Sequence, residues 1–133
     1  MILKTETIKT PEREILLDIT EDINDAIKST NIIEGVCHVF IPHTTAGIII
    51  NENADPDVKK DIITHLKKLI PIDNNFSHME GNSDAHIKST LTGQSITVLI
   101  HKGNLVLGTW QGIMFAEYDG PRSRKIHIQI QGE

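Results

Sequence analysis

Three histidines of this chain, His43, His78 and His86, fall in or beside segments that no apolar periodicity explains, and two of them share the stretch Asn75 to His86. That stretch also carries Glu80, Asn82, Asp84 and Gly81, and only Phe76, Met79 and Ala85 in it look like packing residues. Three neutral imidazoles can hold zinc or a similar divalent ion and leave a position open for water or substrate. Glu80, Glu52 and Asp55 are available as ligands, as partners that orient ligands, or as general bases. The spacing matches no local signature such as His-Glu-x-x-His. The ligand set His43, His78 and His86 is therefore an expectation built on loop placement, with packing and surface roles as the plainer alternative.

The second chemical theme is phosphate. Arg122 and Arg124 flank Ser123 after Gly120-Pro121, and alternation along an extended segment sends both guanidiniums to one side. Forked planar donors at that spacing suit a phosphate or diphosphate, although an arginine pair equally serves surface salt bridges. Gly81-Asn82-Ser83 reads as a turn into a helix capped by Asn82 or Ser83, whose first N–H groups offer an anion site. Asp84 in that first turn competes for the same positive potential. Thr44 and Thr45 add hydroxyls, and Gln111, beside Gly112, is a candidate polar contact. Trp110 reads as core packing.

These residues must be positioned by a fold that the composition narrows. The chain has 133 residues, 38% of them hydrophobic, which suits one domain burying roughly two-thirds of its unfolded surface. Five aromatic residues leave the core to isoleucine, leucine and valine, and isoleucine dominates, favouring strands. A net charge of −5 argues against a general nucleic-acid surface. No apolar run approaches the ~20 residues of a membrane span and no signal-peptide pattern opens the chain, so no membrane association and a cytoplasmic location are expected. Cys37, the one cysteine, sits in an apolar strand pattern and reads as a buried, inert thiol.

Taken in order, an outer strand spans Ile2 to Thr10 and a second runs from Ile15 to Ile19. Thr20 caps a helix from Glu21 to Thr30 that turns Ile23, Ala26 and Ile27 to one face. Val36 to Ile41 and Ile48 to Ile50 are strands, the latter buried on both faces. Asp55-Pro56 starts a helix to about Ile70 with Val58, Ile62, Leu66 and Leu69 inward and His65 at the stripe's edge. A short helix from Ser83 to Leu91 closes at Gly93. Ser95 to His101 is a strand, Gly103-Asn104 a hairpin turn into Leu105 to Leu107, and Gly112 to Tyr118 another strand. Ile126, Ile128 and Ile130 alternate with His127 and Gln129 in a half-buried last strand, with His127 and His101 facing outward. The sum is a single α+β domain over residues 1–133, a largely antiparallel sheet with two to three helices on one side.

Three blocks of the chain together resemble the YjbQ-like family. They are His43-Thr44-Thr45-Ala46 through Asn51-Glu52-Asn53-Ala54-Asp55-Pro56, His78-Met79-Glu80-Gly81-Asn82 through Ala85-His86-Ile87-Lys88, and Gly108-Thr109-Trp110-Gln111-Gly112 through Glu117-Tyr118-Asp119-Gly120-Pro121-Arg122-Ser123-Arg124. The first 42 residues match only in general pattern. The resemblance implies a compact α+β fold, a homotrimer, and a polar site holding a metal ion, with His43, His78 and His86 beside Glu80, Arg122 and Arg124. It also implies a secondary thiamine-phosphate synthase activity, joining a hydroxymethylpyrimidine diphosphate to a thiazole phosphate with release of pyrophosphate. Such a reaction ordinarily uses magnesium on the diphosphate, whereas a histidine site favours zinc. The reading taken forward is a metal-binding enzyme acting on a small phosphorylated ligand. A non-catalytic trimeric module that binds a metal or phosphorylated ligand, and a metal-assisted phosphoester hydrolase, are the alternatives.

Overall fold

The computed structural model describes residues 1–133. In chain order the elements are β1 (Ile2–Lys9), β2 (Ile15–Asp18), α1 (Thr20–Lys28), β3 (Glu34–Phe40), β4 (Ala46–Glu52), α2 (Pro56–Leu69), α3 (Ser83–Thr92), β5 (Ser95–His101), β6 (Asn104–Leu105), β7 (Gln111–Glu117) and β8 (Ser123–Gly132). The expected α+β class holds, but the strands form two antiparallel sheets where one was expected. A five-stranded sheet runs β1-β8-β3-β5-β6 and a three-stranded sheet runs β2-β7-β4.

The reason lies in β7. Every residue from Gly112 to Glu117 is buried, and a strand buried on both faces needs a layer on each side. Its alternation then sorts its side chains between two cores. Ile113 and Phe115 point into the core between the sheets, meeting Ile48 of β4 and Ile126, Ile128 and Ile130 of β8. Met114 and Ala116 point the other way, toward Leu16, Ala85 and Tyr118, with Ile62, Ile63 and Leu66 of α2 packed around them. The helices therefore do not share one side. α1 packs Ile23, Ala26 and Ile27 between the sheets, while α2 and α3 cover the far face of the small sheet.

Local details depart from the sequence reading in informative ways. Thr20 is the first helical residue and not the cap; the Asp18 carboxylate accepts its N–H at 2.9 Å. Asp55 does cap α2, accepting from the Asp57 N–H at 2.9 Å with Pro56 in the first turn. That helix buries nothing fully: Val58, Ile62 and Leu66 are half-buried, while Leu69 and His65 are exposed. The β5–β6 turn is Lys102-Gly103, both at positive φ, one residue earlier than expected. Trp110 is 63% exposed and packs in no core. Cys37 is buried, and burial pushes its thiol up to about 11.

The inward face of α3 is polar, which is why its sequence shows so little amphipathicity. Asp84, Ala85, Lys88 and Ser89 are buried. The Lys88 ammonium donates to Glu14 and, at 2.9 Å, to Asp84, four residues back on the same helix. Arg13 grips Asp84 with two bonds of 3.0 and 3.2 Å. Two carboxylates thus face two cations in an interior where an unpaired charge would be costly. Gly47 of β4 permits the close approach of the helix end, since a Cβ there would lie 2.6 Å from the Gly93 carbonyl oxygen.

Burial pushes the Asp84 carboxyl up, but the hydrogen bonds and charges of Arg13 and Lys88 outweigh it and hold it below the ordinary 3.8. A depressed carboxylate contributes stability that is complete above its unfolded pKa and lost as pH falls through the folded value. Urea unfolding should therefore show stability falling from about pH 4 downward. Lys88→Met should cost about 3–5 kcal/mol at pH 7 and flatten that acid slope. An unchanged slope would remove this network from the acid response.

Candidate functional site

Three separate segments converge on one cleft of about 400 Å³, lined almost wholly by polar and charged side chains. The β3–β4 loop supplies Pro42, His43, Thr44 and Thr45, and the residues leading into α3 supply Glu80, Asn82 and, within the helix, His86. The β7–β8 connection supplies Asp119 and Arg122, and β8 supplies Arg124. Of the sequence-predicted residues the cleft thus gathers His43, Thr44, Thr45, Glu80, Asn82, His86, Arg122 and Arg124. Asp119, which the sequence reads only as a strand end, is an addition.

Four predicted residues, Gln111, His78, Glu52 and Asp55, are not part of the lining. The Gln111 side chain accepts the Gly108 N–H at 2.8 Å and closes its own loop. His78 stands at the rim: its ring meets His86 edge-on with centroids 5.6 Å apart, and its Nε2 lies 3.7 Å from Glu80. The turn into α3 thus brings the two imidazoles together.

The floor is a buried ion pair. Arg124 donates from Nε to Glu117 at 2.8 Å, and from Nη2 to Glu117 and to the Thr45 hydroxyl at 2.8 Å. The Asp119 N–H also donates to Glu117 at 3.0 Å, and the Thr10 hydroxyl donates to it at 2.7 Å. Burial pushes the Glu117 carboxyl up, but these donors outweigh it and hold it below 4.5. Arg124 is thus committed to the protein as an ion-pair partner, and of its nitrogens only Nη1 makes no hydrogen bond. Arg122, half exposed, bonds the Asp119 carbonyl at 2.8 Å and the Asp119 carboxylate at 3.2 Å. Gly120 lets this loop press on the β1–β2 connection, where a Cβ would lie 2.4 Å from the Glu12 carbonyl oxygen.

Asn82 occupies the cap position of α3 but makes no capping bond; its amide N–H donates to Asp119 at 2.9 Å. Because a carboxylate only accepts, this fixes which amide atom is the nitrogen. Its Oδ1 is left buried without a partner. A buried acceptor without a donor costs about 1–3 kcal/mol.

His43 is held differently. Its Nε2 accepts the Lys125 N–H at 2.9 Å, so the neutral ring carries its proton on Nδ1. Burial and the neighbouring Arg124 lower its pKa below 6.5, keeping it neutral at pH 7. In this arrangement His43 is a hydrogen-bond donor whose second nitrogen is already taken. No group of three or more His, Cys, Asp or Glu side chains is placed to share a metal ion, and the Nε2 of His43 is engaged by the Lys125 N–H.

The charges of the cleft nearly cancel. Arg124 faces Glu117, Arg122 faces Asp119, and Glu80 adds a further negative charge. An incoming phosphate therefore meets directed donors but no surplus positive charge.

Fold and site together define a small two-sheet α+β protein with a polar, donor-rich cleft at the mouth of its loops. The chain matches the model of the UPF0047 YjbQ-like proteins over residues 4–133 and belongs to that family. It is 57% identical over 126 residues to a UPF0047 protein of Methanocaldococcus jannaschii, covering 95% of this chain and 91% of that one. YugU of Bacillus subtilis is 48% identical over 132 residues, 98% of this chain and 100% of YugU. A crystal structure of a family member from Clostridium acetobutylicum superposes with a TM-score of 0.94 at 48% identity, covering 96% of this chain and 99% of that one. A hypothetical protein of Aeropyrum pernix gives 0.95 at 34% identity over the whole of both chains. A further match, from Sulfolobus solfataricus, is described as a protein of unknown function. No helix of this chain is long and apolar enough to cross a membrane.

The His43 tautomer is open to direct measurement. Long-range ¹H–¹⁵N spectra should show it neutral at pH 7 with the proton on Nδ1, and titrating below 6.5. A protonated Nε2 would overturn the assignment.

Proposed function

We propose that the cleft binds a small phosphorylated metabolite together with a divalent cation, and that the protein transfers a group from it. The supporting observation is the convergence of three chain segments on one largely polar cleft whose donors are fixed before any ligand arrives. Arg122, the free Nη1 of Arg124, the Nδ1–H of His43 and the hydroxyl of Thr44 donate to phosphate oxygens. Since the arginine charges are already matched, binding a phosphate dianion needs further positive charge.

A cation carried by the substrate fits the residues better than a resident three-histidine zinc. Magnesium takes one or two protein oxygens and completes its shell with phosphate and water, and Asp119, Glu80 and Asn82, which line the cleft, carry oxygen ligands of that kind. When bound, the cation would neutralise a departing diphosphate.

The named candidate reaction is thiamine-phosphate synthase-like transfer. The bond from the hydroxymethyl carbon to the diphosphate oxygen breaks, pyrophosphate leaves with the electron pair, and the thiazole nitrogen forms a new bond to that carbon. His86, which lines the cleft and pairs edge-on with His78, is the group this reading assigns to hand a proton to the departing pyrophosphate.

Calorimetric titration with pyrophosphate tests the binding. Affinity should rise on adding magnesium, and Arg122→Ala should weaken it about tenfold. No binding with or without magnesium would overturn the reading. Mixing the pyrimidine diphosphate with the thiazole phosphate should yield the joined product; tight binding without product would assign a non-catalytic module instead.

A further inference from the structure

Resting on that phosphate reading, we infer that Thr10, which stands outside the cleft, is a positioning residue for it: one hydroxyl ties the main chain of Arg122 to the buried carboxylate that holds Arg124. Thr10 directly follows β1, is buried, and does not line the cleft.

The tie forms where the β1–β8 ladder ends. Lys9, the last residue of β1, lies opposite Ser123, so the next pair is Thr10 with Arg122. The Thr10 N–H donates to the Arg122 carbonyl at 2.9 Å, as one half of a regular antiparallel pair. The other half is altered. A regular ladder would send the Arg122 N–H to the Thr10 carbonyl, but it donates to the Thr10 hydroxyl oxygen at 3.0 Å. Pro11 accounts for the ending, because it holds Thr10 in extended backbone and brings no N–H of its own to continue the pairing. Both main-chain groups of Arg122 are therefore held by a single residue, one of them through its side chain.

That hydroxyl has no choice of direction. A threonine oxygen carries one proton and two lone pairs. Two acceptors lie within reach of the proton, Glu117 Oε1 at 2.7 Å and the Arg122 carbonyl at 3.0 Å. The carboxylate is nearer and charged, so it takes the proton, and a lone pair is left for the Arg122 N–H. Glu117 Oε1 also accepts from Arg124 Nε at 2.8 Å. An unbroken run of hydrogen bonds thus leads from the Arg124 guanidinium through Glu117 and Thr10 to the Arg122 main chain. The Arg122 guanidinium is then aimed within its own loop, by the Asp119 carbonyl and carboxylate three residues back. Gly120 makes room for the arrangement, since a Cβ there would lie 2.8 Å from the Thr10 hydroxyl.

Thr10→Val and Thr10→Ser test this, with pyrophosphate and magnesium as the probe. Valine keeps the shape and the N–H but takes the acceptor from Arg122 and a donor from Glu117, whereas serine keeps the hydroxyl. Calorimetry should show affinity about tenfold weaker for the valine variant and within about twofold of the unaltered chain for serine. In an Arg122→Ala background the valine change should weaken binding no further, because it acts through Arg122. A merely structural threonine would lower the unfolding temperature and leave the affinity alone. That result would overturn the inference, and so would an equal loss of affinity in both backgrounds. Spectra of the arginine Nε–H groups give a readout that needs no ligand. Arg122 should show an Nε–H protected from exchange in the unaltered chain and in Thr10→Ser, and lose that protection in Thr10→Val. Protection retained in the valine variant would overturn the tie. No binding of pyrophosphate by the unaltered chain would overturn the phosphate reading and any ligand role for Thr10, while the Nε–H comparison would still decide the tie itself. Thr10→Ala, with the same losses expected, replaces the valine variant if that chain does not fold.

Discussion

The contact between Arg124 and Glu117 is a buried ion pair that bridges the two sheets. Glu117 ends β7 in the small sheet, and Arg124 opens β8 in the large one, so one ion pair ties the two sheets at the end where the loops gather. Both side chains are essentially withdrawn from water. Such a pair returns its desolvation cost only if its remaining hydrogen-bonding capacity is also used. Thr10, the Asp119 N–H and Thr45 meet that demand, and each belongs to a different connection. Satisfying one buried pair therefore fixes three loops at once, and two of them, the β3–β4 loop and the β7–β8 connection, line the cleft.

A second buried network lies on the other side of α3. Glu14, Asp84 and Lys88, with Arg13 at their edge, fasten the helix to the β1–β2 connection. Asn82 and His86 of the cleft stand two residues either side of Asp84, so the helix start is held from behind while its polar residues face the ligand space. The result is a site whose donors are set by interior charge pairing and not by flexible surface side chains. This also explains its electrical neutrality: the same arginines that shape the cleft have spent their charge in holding it together.

Much of the fold was legible because it rests on periodic signals. The Ile126, Ile128 and Ile130 alternation, the Asp55-Pro56 helix start and the apolar run from Ile113 to Ala116 each report a local requirement that the structure meets. The division into two sheets was not legible in the same way. An apolar strand with neighbours of its own kind looks alike whether its second face meets a sheet or a helix, and only the packing of β8 on one side and Leu16 and Ala85 on the other decides it. α3 escaped amphipathic analysis because its buried face is charged. Trp110 misled for the opposite reason, since its size suggested a core that its loop does not reach.

For the site, the sequence by itself determined which residues had no structural explanation: the histidines, the threonine pair, Glu80, Asn82 and the two arginines. Side-chain type restricts what a residue can donate or accept, and that restriction survives any fold. Tertiary structure alone decided who their partners are. It gave Arg124 to Glu117 and the Nε2 of His43 to Lys125, brought Asp119 into the cleft, and sent Gln111 to its own loop. These pairings span up to 82 residues of chain, and hydrogen-bond geometry at that separation is set by how whole sheets pack, which no local pattern of residues encodes.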